Sequence, residues 1–68
     1  MHERVSNRVQ ELRNGADITQ EKLASAVGVS RQTIIAIEKG NYTPSVLLAL
    51  RLARYFKMPV ERIFTLCT

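Results

Sequence analysis

Apolar residues recur along the chain at helical intervals, interrupted at regular points by Gly, Pro and hydroxyl-bearing residues. Val5, Val9 and Leu12 fall at i, i+4 and i+7, which predicts a first helical stretch. Asn14-Gly15 closes it, since Gly accepts the left-handed conformation that follows a helix. Thr19 is placed to cap a second stretch, with Glu21 at the positive end of its dipole and Leu23, Ala24 and Val27 on its inner face. Gly28 ends that stretch, Ser30 caps a third with Ile34 and Ile37 inward, and Gly40 ends it. After the loop Asn41-Tyr42-Thr43-Pro44, Ser45 caps a fourth stretch running to Phe56, whose inner face is Leu48 or Ala49 with Leu52, Ala53 and Phe56. Pro59 suits the first turn of a fifth, Val60 to Phe64. The expected fold is all-α, five helices in one domain spanning 1–68. The tail Phe64 to Thr68 has strand-forming composition, and a minor terminal β pairing with the segment around Val5 is expected.

The second and third stretches meet through only Gly28-Val29-Ser30. A turn that tight needs a positive φ, which Gly supplies, and a small residue where the helices touch, here Ala24. Leu23, Val27, Val29, Ile34 and Ile37 close the wedge from inside, the spacing of a DNA-binding helix-turn-helix over about 19–39. On a helical wheel of the third stretch, Arg31, Gln32, Ile35, Ala36 and Lys39 fall within an arc of about 140°, with Ser30, Thr33, Ile34 and Ile37 opposite. The outward arc suits a DNA groove. Arg31 can donate twice to guanine, Gln32 can pair with adenine, and Ile35 and Ala36 can touch thymine methyls. A large aliphatic such as Ile35 amid solvated neighbours otherwise has no structural reason to be there.

Phosphates need donors on both sides of the groove. Gln20 sits where the second stretch begins and free backbone N–H groups point outward. Lys39, Asn41, Tyr42 and Thr43 flank the far end, and Ser30 and Thr33 complete the set of expected phosphate contacts. Charge agrees with this reading: ten Lys and Arg against six Asp and Glu give a net +4, which predisposes a small domain to polyanions.

Thr19-Gln20-x-x-Leu23-Ala24-x-x-Val27-Gly28-Val29-Ser30-Arg31-Gln32-Thr33-Ile34-x-x-Ile37-Glu38-Lys39-Gly40-x-x-x-Pro44-Ser45 resembles the Xre/Cro-type repressor family, which includes the lambdoid phage repressors. Pro59 to Phe64 resembles that family's fifth helix, so the likeness covers nearly the whole chain, and short stand-alone members look closest. The resemblance implies a compact lambda-repressor-like domain whose third helix reads bases through Arg31, Gln32, Ile35 and Ala36, with Gln20 on phosphate. It implies a homodimer on a near-palindromic operator, and an ion pair between Arg13 and Glu38 that ties the first helix to the reading helix. Two positions depart from the family pattern. Ala36 replaces a longer polar side chain, and Met58 precedes Pro59 where a polar cap is expected, so helix five should fray.

The homodimer that the resemblance implies would also suit a 68-residue chain, which buries only about 60% of its unfolded surface and needs efficient helix packing, a partner subunit, or both. Candidates are Phe64, Leu66 and Tyr55, with Leu47 and Leu50 if they miss the core. Catalysis and cofactors are not expected: His2 and Cys67 stand alone, and a metal site needs three or four clustered ligands. The single cysteine fits a cytoplasmic setting, no membrane span is expected, and no small-molecule effector site is evident. The expected function is a sequence-specific transcriptional repressor. The rivals are a DNA-binding antitoxin, which would co-purify with a toxin, and a protein-interaction module, which would keep working after Arg31 and Gln32 are replaced by Ala.

Overall fold

The computed structural model describes residues 3–67. In chain order the elements are strand β1 (Arg4–Asn7), helices α1 (Val9–Gly15), α2 (Gln20–Val27), α3 (Arg31–Glu38) and α4 (Val46–Phe56), a 3-10 turn (Val60–Arg62) and strand β2 (Phe64–Cys67). The two strands pair antiparallel, Val5 opposite Leu66 and Asn7 opposite Phe64, so the terminal pairing forms as expected.

Three hydroxyl caps set the helix starts. Thr19 Oγ1 accepts the Lys22 N–H at 3.0 Å, Ser30 Oγ that of Thr33 at 3.2 Å, and Ser45 Oγ that of Leu48 at 3.2 Å. Losing such a cap costs about 1 kcal/mol. Beneath the helices, Val9, Leu23, Ile34, Ile37, Leu52 and Ile63 are fully buried, each stabilising by about 1.5–3 kcal/mol relative to exposure. Ala24, Val27, Leu48 and Ala53 complete the core, so α4 contributes Leu48 rather than Ala49 to it.

The structure corrects the five-helix expectation: among the described residues there are four α-helices and a two-stranded sheet. The fifth stretch is one 3-10 turn, entered from Pro59 with no side-chain cap, and Phe64 belongs to β2. Val5 is likewise in a strand, not on the first helical stripe. Asn7 explains that boundary. Its Oδ1 accepts the Val9 N–H at 3.0 Å, an Asx turn that starts α1 at Val9 and leaves the preceding backbone free to pair. After α1 the left-handed residue is Asp17 (φ 59°), not Gly15. Helix α4 stops at Lys57, also left-handed, where the Met58 N–H returns to the Ala53 carbonyl at 3.1 Å and the Met58 side chain packs on the core. That apolar contact is the usual companion of such a helix end and offsets the strain at Lys57.

Candidate nucleic-acid interface

Gly28, at φ 77°, turns the chain between α2 and α3. The Val29 N–H closes back on the Ala24 carbonyl at 2.9 Å, and Ala24 is small enough to let the helices meet. Ile34 and Ile37 fix the inner side of α3 with no exposed surface. Its outer side then follows from geometry: Arg31, Gln32 and Lys39 are exposed, and Ile35 and Ala36 are half-buried between them. Ser30 is exposed, and its Oγ both caps α3 and lies 3.1 Å from Thr33 Oγ1, with Thr33 half-buried. Beyond Gly40 (φ 79°), Asn41, Tyr42 and Thr43 are all exposed. A shallow cleft lined by Arg13, Thr19, Gln20, Glu21 and Arg31 runs between the N-terminal ends of α2 and α3.

Behind this surface, Arg13 Nε donates to Glu38 Oε2 at 2.6 Å and Nη2 to Oε1 at 3.2 Å. Nη1 takes the Ile18 carbonyl at 2.9 Å, so one guanidinium joins α1, the α1–α2 loop and the end of α3. The pair is nearly sealed, with 12% of the Arg13 side chain and 3% of the Glu38 side chain exposed. Hydrogen bonding to Glu38 holds the guanidinium pKa above its ordinary value. Gln20 Nε2 also donates to Glu38 Oε1, at 2.9 Å. One of its two amide protons is thereby committed, and the other remains for a ligand. Every buried side-chain N or O among the described residues has a partner.

Residues 9–63 match the helix-turn-helix family model. The chain belongs to the Xre-type helix-turn-helix family of DNA-binding transcription regulators. Over 62 residues it is 52% identical to YgzD of Bacillus subtilis, an uncharacterized HTH-type transcriptional regulator, covering 91% of this chain and 94% of that one. It is 31% identical to the transcriptional repressor RstR of the cryptic phage CTXphi in Vibrio cholerae, covering 85% of this chain and 52% of RstR. Among solved structures it superposes on the restriction-modification controller protein C.AhdI of Aeromonas hydrophila with a TM-score of 0.75 at 29% identity, covering 81% of this chain and 83% of that one.

Within this Xre-type domain, the residues expected at a dimer surface divide. Tyr55 and Phe64 are half-buried and pack against the core, Tyr55 edge-on to Phe56 at 5.2 Å between ring centres. Leu66 is 63% exposed, and the largest apolar surface left over is on α4: Val46 at 76%, Leu47 at 58% and Leu50 at 55%. Sequence reasoning did not select Val46. It also missed Asn7, whose Nδ2 donates to the Ile37 carbonyl at 2.9 Å, and Arg51, whose Nη1 reaches the Val27 carbonyl at 3.4 Å. An Asn two residues before the first buried position of a helix was the available signal for Asn7. Nothing in the sequence marks Arg51.

His2 lies outside the described residues. Among those described, no three His, Cys, Asp or Glu side chains gather as a metal site would require, and no helix is long and apolar enough to cross a membrane. Cys67 is half-buried with Sγ 3.2 Å from Ser6 Oγ.

Proposed function

We propose that this chain is a transcriptional repressor that binds a near-palindromic operator as a homodimer, with α3 in the major groove. One observation carries the reading. Arg31 and Gln32 stand exposed at the start of a helix whose opposite side is held by the fully buried Ile34 and Ile37. The side chains that can hydrogen-bond base edges therefore project from a rigid base. Arg31 donates to guanine O6 and N7, Gln32 pairs with adenine N6 and N7, and Ile35 and Ala36 contact thymine methyls. Gln20, Ser30, Thr33, Lys39, Asn41, Tyr42 and Thr43 line the two flanks and hold phosphates. Gln20 does so with the amide proton that Glu38 leaves free.

A second copy covers the exposed apolar face of α4, Val46, Leu47 and Leu50, and Leu66 is a further exposed apolar candidate for the interface. Tyr55 and Phe64, also candidates, are half-buried against the subunit's own core and offer the partner less. Bound across a promoter, such a dimer denies the site to the transcription machinery. The likeness to RstR, itself a phage transcriptional repressor, supports repression over activation.

Selection of bound fragments from a random DNA pool tests this directly. The expected product is two inverted half-sites with centres about 10–10.5 bp apart, one turn of DNA. A pool that stays random, or a single unsymmetrical motif, contradicts the proposal.

A further inference from the structure

The last turn of α3 is attached to the N-terminal segment at two places, once from α1 and once from the end of β1. Arg13, near the end of α1, grips the Glu38 carboxylate with two nitrogens. Asn7, just ahead of α1, donates from Nδ2 to the Ile37 carbonyl at 2.9 Å. The two attachment points lie six residues apart, with the first turn of α1 between them. On α3 the two contacts meet neighbouring residues, the Ile37 carbonyl and the Glu38 carboxylate, so together they hold its last turn against the N-terminal segment. Asn7 is itself well anchored. Its Oδ1 holds the Val9 N–H at 3.0 Å, and its backbone is the rung of the terminal sheet opposite Phe64. The Ile37 carbonyl also accepts the Gly40 N–H at 3.0 Å, so both its lone pairs are used where α3 ends.

We infer that Asn7 is a positioning residue for DNA reading: it and Arg13 jointly seat α3, and the terminal sheet holds Asn7 in place to do so. The inference rests on α3 being the base-reading helix. Discrimination between base pairs depends on side chains held to about 0.5 Å and 10–20°. A change that lets the end of α3 drift should therefore blur discrimination without removing any phosphate contact.

The chemistry of the side chain separates this role from starting α1. Asn7→Asp keeps an oxygen for the Val9 N–H but turns the donor into a second oxygen aimed at the Ile37 carbonyl. Asn7→Ser keeps a short acceptor and lacks the reach to Ile37. Each variant is titrated against the selected operator and against unrelated duplex of equal length, over a range of salt, with folding checked by circular dichroism. Gln32→Ala is run alongside. The expected result is a drop of about tenfold in the operator-to-unrelated ratio for both Asn7 variants. The slope of log affinity against log salt should stay that of the parent.

Equal loss on both DNAs, or an unchanged ratio in folded protein, overturns the inference. So does failure of both variants to fold, which would reduce Asn7 to a stability residue. If Asn7 variants keep the ratio and Gln32→Ala loses it, the seating role alone fails. If Gln32→Ala also keeps it, the base-reading role of α3 fails first.

Discussion

Helices α3 and α4 each bury one aliphatic side and leave the other outside, yet the two outer faces are opposite in chemistry. On α3 the exposed positions are Arg31, Gln32 and Lys39, with Ile35 and Ala36 half-sunk between them. On α4 they are Val46, Leu47 and Leu50, followed by Arg51 and Arg54. Side chains rich in donors lose little by staying in water and gain when polar base edges replace that water. Bare aliphatic surface has nothing to offer water and gains about 25 cal/mol per Å² when covered. The difference suits the proposed division of partners, DNA for α3 and a second copy for α4.

Salt should produce the largest effect on this division. If a dimer neutralises about 6–10 phosphates, operator affinity measured by fluorescence titration should fall by about 10³–10⁵ between 50 and 200 mM salt. A flat salt response would mean that the face of α3 does not meet a polyanion. Next in size is the support behind α3. Arg13→Ala leaves the Glu38 carboxylate, only 3% exposed, with the Gln20 amide but no guanidinium, and should cost up to about 3–5 kcal/mol of stability in a thermal or urea melt. That is a large share of the about 5–15 kcal/mol that holds a domain together. A melt unchanged by Arg13→Ala would remove the ion pair from the account.

The α4 face is tested by Leu50→Glu. The substitution lies on surface already 55% exposed, so the subunit should melt within about 0.5 kcal/mol of the parent. Sedimentation should nevertheless find monomers at concentrations where the parent is dimeric, and operator affinity should fall with them. A variant that stays dimeric places the interface elsewhere. The smallest effect belongs to the exposed Arg8–Glu11 pair, 2.9 Å apart. Its hydrogen bond to Arg8 lowers the Glu11 pKa below the ordinary carboxylate value. The stabilisation is therefore present above the ordinary value and is lost as pH falls through the lowered one. Glu11→Gln should slightly flatten the acid side of a stability–pH profile and, because the pair is solvated, that difference should vanish in high salt.

The helix-turn-helix was legible because every requirement there is local. A cap at Ser30, a positive-φ Gly28 and apolar positions at helical spacing fall within a few residues of one another, and tertiary packing reinforces all of them. The ends of the chain were harder to read. Val5 continues the spacing of Val9 and Leu12, but the Asn7 turn that starts α1 at Val9 and the pairing of β1 with a strand some sixty residues away draw it out of the helix. The fifth stretch had Pro59 to start it but no side-chain cap, so it closes as one 3-10 turn before β2 pulls Phe64 into the sheet. Of the candidate site, the type and spacing of Arg31 and Gln32 were readable from the residues, whereas the Arg13–Glu38 pair was implied only by the family resemblance. The Asn7 bridge was not, because the carbonyl it holds lies thirty residues away and carbonyls leave no mark in a sequence.

The assignment of α3 to base reading is tested most directly by titrating Gln32→Ala against the selected operator and against variants of it changed one base pair at a time. Removal of the Gln32 amide should cost about 1–3 kcal/mol on the parent operator and nothing further once one particular base pair per half-site has been changed. An equal penalty on every DNA tested would contradict the account and make Gln32 a phosphate contact.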